Sequence, residues 1–267
     1  MVAAFDPNDS VGILDQYFPQ TAFFTEFERF DRHLEKIKRA GNPIDYLVVC
    51  SPNYLHDAHV RYGLRCGAQV ICEKPLVINP WNLDALQDME IETGKKVLTI
   101  LQLRYHATVI ALKEIVLNAP PSQIFDLDLQ YITPRGQWYQ ASWKGDETKS
   151  GGIITNIGIH LFDMLIWVFG AVKNTTVTEK TATKASGTLS LEKANVRWTL
   201  SIDAADLAVF QTDKPVRQLN MDGKNWNFSE GFTDLHTESY RQILAGNGWG
   251  IEGVRPSVAL AATLRGS

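Results

Sequence analysis

Two kinds of hydrophobic patterning divide this chain near residue 103. Before that point, short apolar runs alternate with longer ones whose apolar residues recur at helical spacing. Val2-Ala3-Ala4-Phe5 and Phe23-Phe24 read as short strands, and residues 45–50, 68–72 and 96–101 as further strands, of which 45–50 is near-continuously apolar in the parallel-sheet manner. Phe27, Phe30, Leu34 and Ile37 share one helical face, with Thr25 as predicted N-cap, Glu28 three residues on, and Asn42-Pro43 as the break. A second helix is predicted over 55–66, ending at Gly67. A third runs from Asn79 as cap and Pro80 as first residue to Gly94. Strands and helices in alternation with short links predict α/β architecture with a doubly wound parallel sheet.

After residue 103 the period changes. A helix over 105–117 stops before Pro120-Pro121. Residues 124–132, 172–183, 187–191, 196–202 and 210–211 then alternate apolar with polar side chains, many of them Thr, Val or Ile. Such runs predict antiparallel strands with one wet face. A helix over about 153–169 interrupts them, and another helical stretch surrounds 236–244. Two domains are expected, 1–103 and 104–267, the second an α+β unit with a mostly antiparallel open sheet.

Composition narrows the function only by exclusion. With 26 basic and 30 acidic residues the net charge is −4, and no dense basic cluster exists, so no nucleic-acid partner is expected. Cys50, Cys66 and Cys72 show no Cys-x-x-Cys spacing and read as small buried residues in a reducing compartment. No apolar run is expected to span a membrane and the start is unlike a signal peptide, so the expected location is cytoplasmic.

Candidate chemistry gathers where predicted strands end. Val70-Ile71-Cys72-Glu73-Lys74-Pro75 carries a strand into a carboxylate and an ammonium, with a proline fixing the turn. The carboxyl ends of strands are where open α/β sheets bind ligands, and a partly buried lysine shifts its proton affinity readily. The pair reads equally as an exposed ion pair in a turn. Asp6, also at a strand end, suits a ribose diol, or else caps a helix that starts at Pro7. Ser51, Pro52, Asn53 and His56 follow the most apolar strand and could line a cofactor cleft; His56 could instead be a solvated or capping residue. Asn156, His160 and Asp163 stand at i, i+4 and i+7 of an otherwise apolar helix, and buried polar groups need partners. That spacing suits acid–base work better than a metal, and no metal is expected.

Taken together, Asp6, Ser51-Pro52-Asn53-x-x-His56, Glu73-Lys74-Pro75 and Gly151-Gly152 through His160 and Asp163 resemble the glucose–fructose oxidoreductase/inositol dehydrogenase (Gfo/Idh/MocA) family. The resemblance implies a Rossmann-type NAD domain followed by a substrate domain whose open sheet forms subunit contacts, in a homo-oligomer of two or four chains. It implies Lys74 and His160 as catalytic residues at the carbon that loses hydride. The implied cofactor contacts are Asp6, Ser51, Pro52, Asn53, His56, Glu73, Lys74 and Gln102. The implied substrate contacts are Lys74, Arg104, Arg135, Tyr139, Lys144, Ser150, Asn156 and His160. Asp6 would favour NAD over NADP, because a carboxylate repels a 2′-phosphate. Asn156 stands where the family commonly has Asp; an amide cannot titrate, so proton transfer falls on Lys74 or His160.

A narrower resemblance, to bacterial UDP-N-acetylglucosaminuronate 3-dehydrogenases, rests on Arg135-Gly136-x-Trp138-Tyr139, Ser142-Trp143-Lys144-Gly145, Lys149 to Gly152, Asn156 to His160, and Asp234-Leu235-His236-Thr237-Glu238. It implies oxidation of a nucleotide-sugar uronate at C3 in surface-polysaccharide (O-antigen) synthesis. Arg135, Lys144 and Lys149 offer cations for a uronate or diphosphate, and Trp138, Tyr139 and Trp143 offer stacking faces, although an interface loop has the same composition. The family's glycine-rich phosphate turn is not in the sequence. The chain is therefore expected to be an N-terminally truncated form whose parallel sheet lacks its first strand. The rival expectations are a non-enzymatic sugar-nucleotide or NAD sensor and a dehydrogenase of a free sugar or inositol.

Overall fold

The structure, a computed structural model, describes residues 1–8, 12–228 and 231–267. The first part runs β1 (Ala3–Phe5), α1 (Ile13–Tyr17), β2 (Ala22–Phe24), α2 (Phe27–Arg39), β3 (Tyr46–Val49), α3 (His56–Arg65), β4 (Gln69–Cys72), α4 (Trp81–Thr93) and β5 (Val97–Thr99). All its strand pairs are parallel, but they form two sheets, β1–β2 and β3–β4–β5. α2 bridges them: Phe27 and Phe30 meet Phe5 in the small sheet and Tyr62 of α3.

The chain continues through α5 (Ala107–Asn118), β6 (Phe125–Ile132), α6 (Gln137–Ala141), α7 (Glu147–Ser150), a π-helical segment (Ile154–Gly158) and α8 (Ile159–Phe169). It closes with β7 (Val172–Lys180), β8 (Lys184–Leu191), β9 (Ala194–Ser201), β10 (Val216–Met221), β11 (Lys224–Asn227), α9 (Leu235–Leu244) and α10 (Ile251–Gly266). These strands form one sheet in the order β11-β10-β6-β9-β8-β7, antiparallel except for the β6–β9 pair. α8 lies on one face of it. Phe162 meets Trp198 of β9 edge-to-face at 5.4 Å, and both are fully buried. A Cβ on Gly158 would come within 2.8 Å of Leu200 and 2.7 Å of Phe162, so glycine lets the π-helical turn press against β9. One apolar cluster joins both parts, from Val49, Val70 and Leu103 through Leu165 and Trp198 to Val258.

Several local expectations are corrected. Thr25 does not cap α2; Glu26 takes that position without a side-chain bond. Asn79 does not cap α4, because its Oδ1 accepts from Arg265 Nη2 at 2.7 Å. Residues 204–210 form a 3₁₀ segment, so 210–211 is no strand, and β10 and β11 replace it. The run over 45–50 is not buried on both faces: Tyr46 and Val48 are exposed, because among the described residues β3 pairs only with β4 and α3 covers one face. The run Glu147–Phe169 is long and apolar enough to cross a membrane by length and composition alone, against expectation. Its apolar window is 72% buried within the protein, as in a core helix.

Candidate active site

β4 and its turn set the floor of the site. Val70, Ile71 and Cys72 are buried, which carries the strand to its end in a fixed register, and Glu73 N extends the pairing by donating to Val49 O. The next side chain, Lys74, enters a cleft of about 420 Å³ between the parallel strands' carboxyl ends and the π-helical segment. Its Nζ donates to the backbone oxygen of Asn156 at 2.9 Å. Burial pushes the Lys74 ammonium down to about 8, Lys144 and Arg135 push the same way, and Glu73 opposes them. His160 faces the same cleft. Burial first, then the charges of Lys74 and His236, hold its imidazole well below the ordinary histidine value. At neutral pH the cleft therefore contains a neutral imidazole and a lysine that holds its proton loosely.

An amide network fixes the wall. Asn53 Nδ2 donates to Ser150 O at 2.8 Å and to Asn156 Oδ1 at 3.3 Å. Asn156 Nδ2 donates in turn to the Tyr139 hydroxyl at 2.8 Å, which leaves that hydroxyl its own proton to donate. Arg135 and Lys144 line the rim, with Lys144 Nζ 5.0 Å and 5.6 Å from the Trp138 and Trp143 rings. The cleft thus offers a proton acceptor, neutral hydrogen-bond partners, cations and flat apolar faces.

Of the residues singled out in the sequence, the cleft brings together Ser51, Asn53, His56, Glu73, Lys74, Arg135, Tyr139, Lys144, Asn156 and His160. His56 is neither solvated nor a cap. It is buried, with Nδ1 2.7 Å from Pro75 O and Nε2 2.8 Å from Ser51 O, so it braces two loops and has no nitrogen left for a ligand. Pro52 shapes the turn by accepting from Leu55 N and lies outside the cleft wall. Ser150 is also outside; its hydroxyl donates to Asp146 O and accepts from Gly152 N. Lys149 pairs with Asp146 and does not join the rim cations.

Arg104 departs furthest from expectation. It makes a bidentate pair with Asp163, Nε to Oδ2 at 2.9 Å and Nη2 to Oδ1 at 2.7 Å, and packs over Trp249. Both charges are buried, so Arg104 is held in the core rather than at a substrate, and Asp163 serves Arg104 rather than His160. Asp6 caps no helix. It closes a local turn by accepting from Asn8 N and stands at the end of β1, outside the cleft. Cys50 is exposed at the rim, not buried.

One neighbour of the site was not read from the pattern as a functional group. His236 of α9 lies with Nε2 3.2 Å from Glu73 Oε1, and this bond raises its proton affinity. Only its place in the Asp234–Glu238 resemblance marked it, because 163 positions separate it from Glu73 and no periodicity links them.

The donor set fits part of a dinucleotide. Carboxylates end β1 and β4, and Gln102 Oε1, just after β5, is buried without a partner among the described residues. Diols and a carboxamide need such acceptors. Among the described residues no glycine-rich turn stands ready for a pyrophosphate.

Residues 1–100 match the model of an oxidoreductase family with an NAD-binding Rossmann fold, and residues 123–211 match that family's C-terminal alpha/beta domain. The solved WlbA (WbpB) dehydrogenase of Thermus thermophilus, in complex with NAD and UDP-GlcNAcA, is 45% identical with a TM-score of 0.94, covering 99% of this chain and 86% of that one. The WlbA dehydrogenase of Bordetella pertussis is 17% identical with a TM-score of 0.78, covering 98% and 85%, a likeness of fold alone. D-Glucoside 3-dehydrogenase of Escherichia coli is 30% identical over 132 residues, 49% of this chain and 38% of that protein. The chain spans 36–51% of the length of the first curated relatives it matches. With both family domains matched in order and a relative of 45% identity aligned over 99% of this chain and 86% of its own, the chain belongs to the Gfo/Idh/MocA oxidoreductase family.

Proposed function

We propose that this chain is an NAD-dependent dehydrogenase that oxidises the C3 hydroxyl of a UDP-N-acetylaminosugar uronate, with UDP-GlcNAcA as the substrate. The observation that carries this reading is the loosely protonated Lys74 beside neutral His160, beneath the Arg135 and Lys144 rim. The relative of 45% identity was solved with that nucleotide sugar and NAD. Lys74 in its neutral form accepts the proton of the ring hydroxyl while Asn156 O fixes its position. His160 hydrogen-bonds the same hydroxyl and orients it. NAD, when bound, would supply the acceptor for the hydride of the carbinol carbon, and the carboxylates of Asp6 and Glu73 with the amide of Gln102 are the groups that would hold it. Tyr139 and Asn156 hold the ring from the other side. Arg135 and Lys144 take the carboxylate or diphosphate, and Trp138 and Trp143 supply stacking faces. The division at residue 103/104 into a cofactor part and a substrate part belongs to this proposal, as do a cytoplasmic setting, a role in surface-polysaccharide synthesis and a homo-oligomer.

The test is NAD reduction, followed spectroscopically, with UDP-GlcNAcA, with free inositol and with simple glucosides. Turnover of the nucleotide sugar alone supports the proposal. Turnover of a free polyol alone replaces it with a free-sugar dehydrogenase. Calorimetric binding of NAD or the nucleotide sugar without turnover of any substrate replaces it with a sensor.

A further inference from the structure

Helix α9 follows the mixed sheet in sequence, yet it delivers a side chain to the end of the parallel strand β4. Leu235, Ser239 and Ile243 are its buried face, one helical turn apart. His236, beside that face, is about half exposed. Its Nε2 reaches Glu73 Oε1 at 3.2 Å, while the backbone N–H of Glu73 donates to Val49 O. Glu73 is adjacent to Lys74, so its carboxylate is the negative charge nearest in sequence to the proposed proton acceptor.

The titratable groups around this pair come from several elements, among them Tyr105 of residues 102–105, which pack against α9 and face Glu238. Lys74 follows on the same turn, and His160 faces from α8. Cys50 ends β3, His56 opens α3, and Tyr240 lies one turn along α9. Arg135 and Lys144 act on Lys74 from the rim. Among these, His236 is the group bonded to Glu73, and the bond to Glu73 is the first cause of its raised proton affinity. A carboxylate engaged by a histidine attracts a neighbouring ammonium less than a bare one does, because the imidazolium cancels its field and a neutral N–H donor disperses it.

We propose that His236 is a positioning residue for the reaction, fixing and partly neutralising the Glu73 carboxylate and so controlling how readily Lys74 gives up and takes a proton. The inference rests on the reading of Lys74 as the proton acceptor. Its sign is definite. Removing the histidine strengthens the hold of Glu73 on the Lys74 ammonium; a permanent cation at position 236 weakens it.

The test reads Lys74 directly, so it does not depend on turnover. Competitive amine labelling with acetic anhydride from neutral to alkaline pH, quantified at the Lys74 peptide, gives the titration midpoint of that lysine. The midpoint in His236→Leu, which removes the N–H donor, is expected to rise by about half to one pH unit, and in His236→Lys to fall or stay level. In a Glu73→Gln background the effect of His236→Leu is expected to shrink by more than half, because the charge through which it acts is gone. A helix-docking role alone moves neither midpoint, and unmoved midpoints in folded His236→Leu and His236→Lys overturn the proposal. The acidic limb of kcat/KM should shift with the labelling midpoint. A protein that shows the labelling shifts but turns over no sugar sinks the dehydrogenase reading and leaves the Glu73–His236 coupling standing.

Discussion

Lys74 Nζ lies 2.9 Å from the backbone oxygen of Asn156, a bond that joins the end of a parallel strand to a π-helical turn 82 residues later. A neutral amine can still donate a hydrogen to that oxygen while its lone pair is free. The bond therefore fixes the nitrogen before and after it takes a proton. Segments of π-helix recur at functional sites, where the added residue re-aims backbone groups.

The pH dependence of turnover follows from the Lys74 environment. Burial holds its ammonium near 8, so below that value most molecules carry the wrong protonation state. The kcat/KM for the sugar should fall about tenfold per pH unit below about 8 and level off above it. His160, held well below its ordinary value, adds no second limb near neutrality. A profile flat from pH 6 to 9 removes Lys74 as the base.

The same burial makes Lys74 a liability for stability. Its folded value lies below the ordinary 10.5, so the unfolded chain binds more protons between about 8 and 10.5. Stability should therefore rise with pH across that window, and the ammonium is an unfavourable guest at neutral pH. Lys74→Met removes this penalty, about 3 kcal/mol at most, and loses one hydrogen bond worth about 1–2 kcal/mol. The expected outcome is a fold more stable by about 1–2 kcal/mol in denaturant titration, with turnover reduced at least about 100-fold.

How much of this was legible in the sequence depends on the range of the interaction. Glu73-Lys74-Pro75 at a strand end and Asn156–His160 on one helix are local patterns, and both reached the cleft. The Arg104–Asp163 pair is not local: the two residues are 59 positions apart, and helical spacing alone placed Asp163 with His160. The π-helical turn adds a residue between Asn156 and Asp163 that no 3.6-residue period contains. β10 and β11 were missed because Val216–Met221 carries polar residues on its wet face and lacks a continuous apolar run. The capping role assigned to Asn79 failed for a tertiary reason, since Arg265 at the far end of the chain takes its side-chain oxygen.

Asn156 should control the pH profile without titrating itself. In Asn156→Asp the carboxylate can still accept from Asn53 Nδ2, and the Tyr139 hydroxyl can turn to donate to it, so the network and the fold survive. A new negative charge beside Lys74 favours the ammonium. The acidic limb should move up by about one pH unit, which lowers neutral-pH turnover about tenfold and restores it under alkaline conditions. An unshifted limb would place residue 156 too far from Lys74 to act on it.

Rim cations should affect binding more than chemistry. Lys144→Ala is expected to raise KM for the nucleotide sugar about five- to tenfold and leave kcat within about twofold, with a smaller effect on an uncharged sugar. Added salt should weaken the wild-type protein in the same direction, because the rim is open to water. Loss of Lys144 also removes one of the charges that depress Lys74, so a slight alkaline shift of the acidic limb should accompany the KM change. A fall in kcat with unchanged KM contradicts the assignment.

Arg104 and Asp163 permit a test that separates core from site. Their bidentate pair is buried, Arg104 Nη2 also donates to Gly253 O at 2.7 Å, and the guanidinium lies 4.3 Å from the Trp249 ring centroid. Removing only the arginine leaves a carboxylate uncompensated in the core, so Arg104→Met should cost about 3–5 kcal/mol in denaturant titration. Asp163→Leu should cost a similar amount through the stranded guanidinium. Removing both charges with apolar residues of similar volume should recover most of that loss, because neither ion then has to be desolvated. In the double variant Arg104→Met/Asp163→Leu, KM for the sugar should stay within about twofold of wild type, because no contact with the cleft has been lost. A KM raised tenfold or more in a variant of wild-type stability would return Arg104 to the substrate site. Substrate affinity must therefore be measured alongside stability, since a destabilised single variant loses activity under either account.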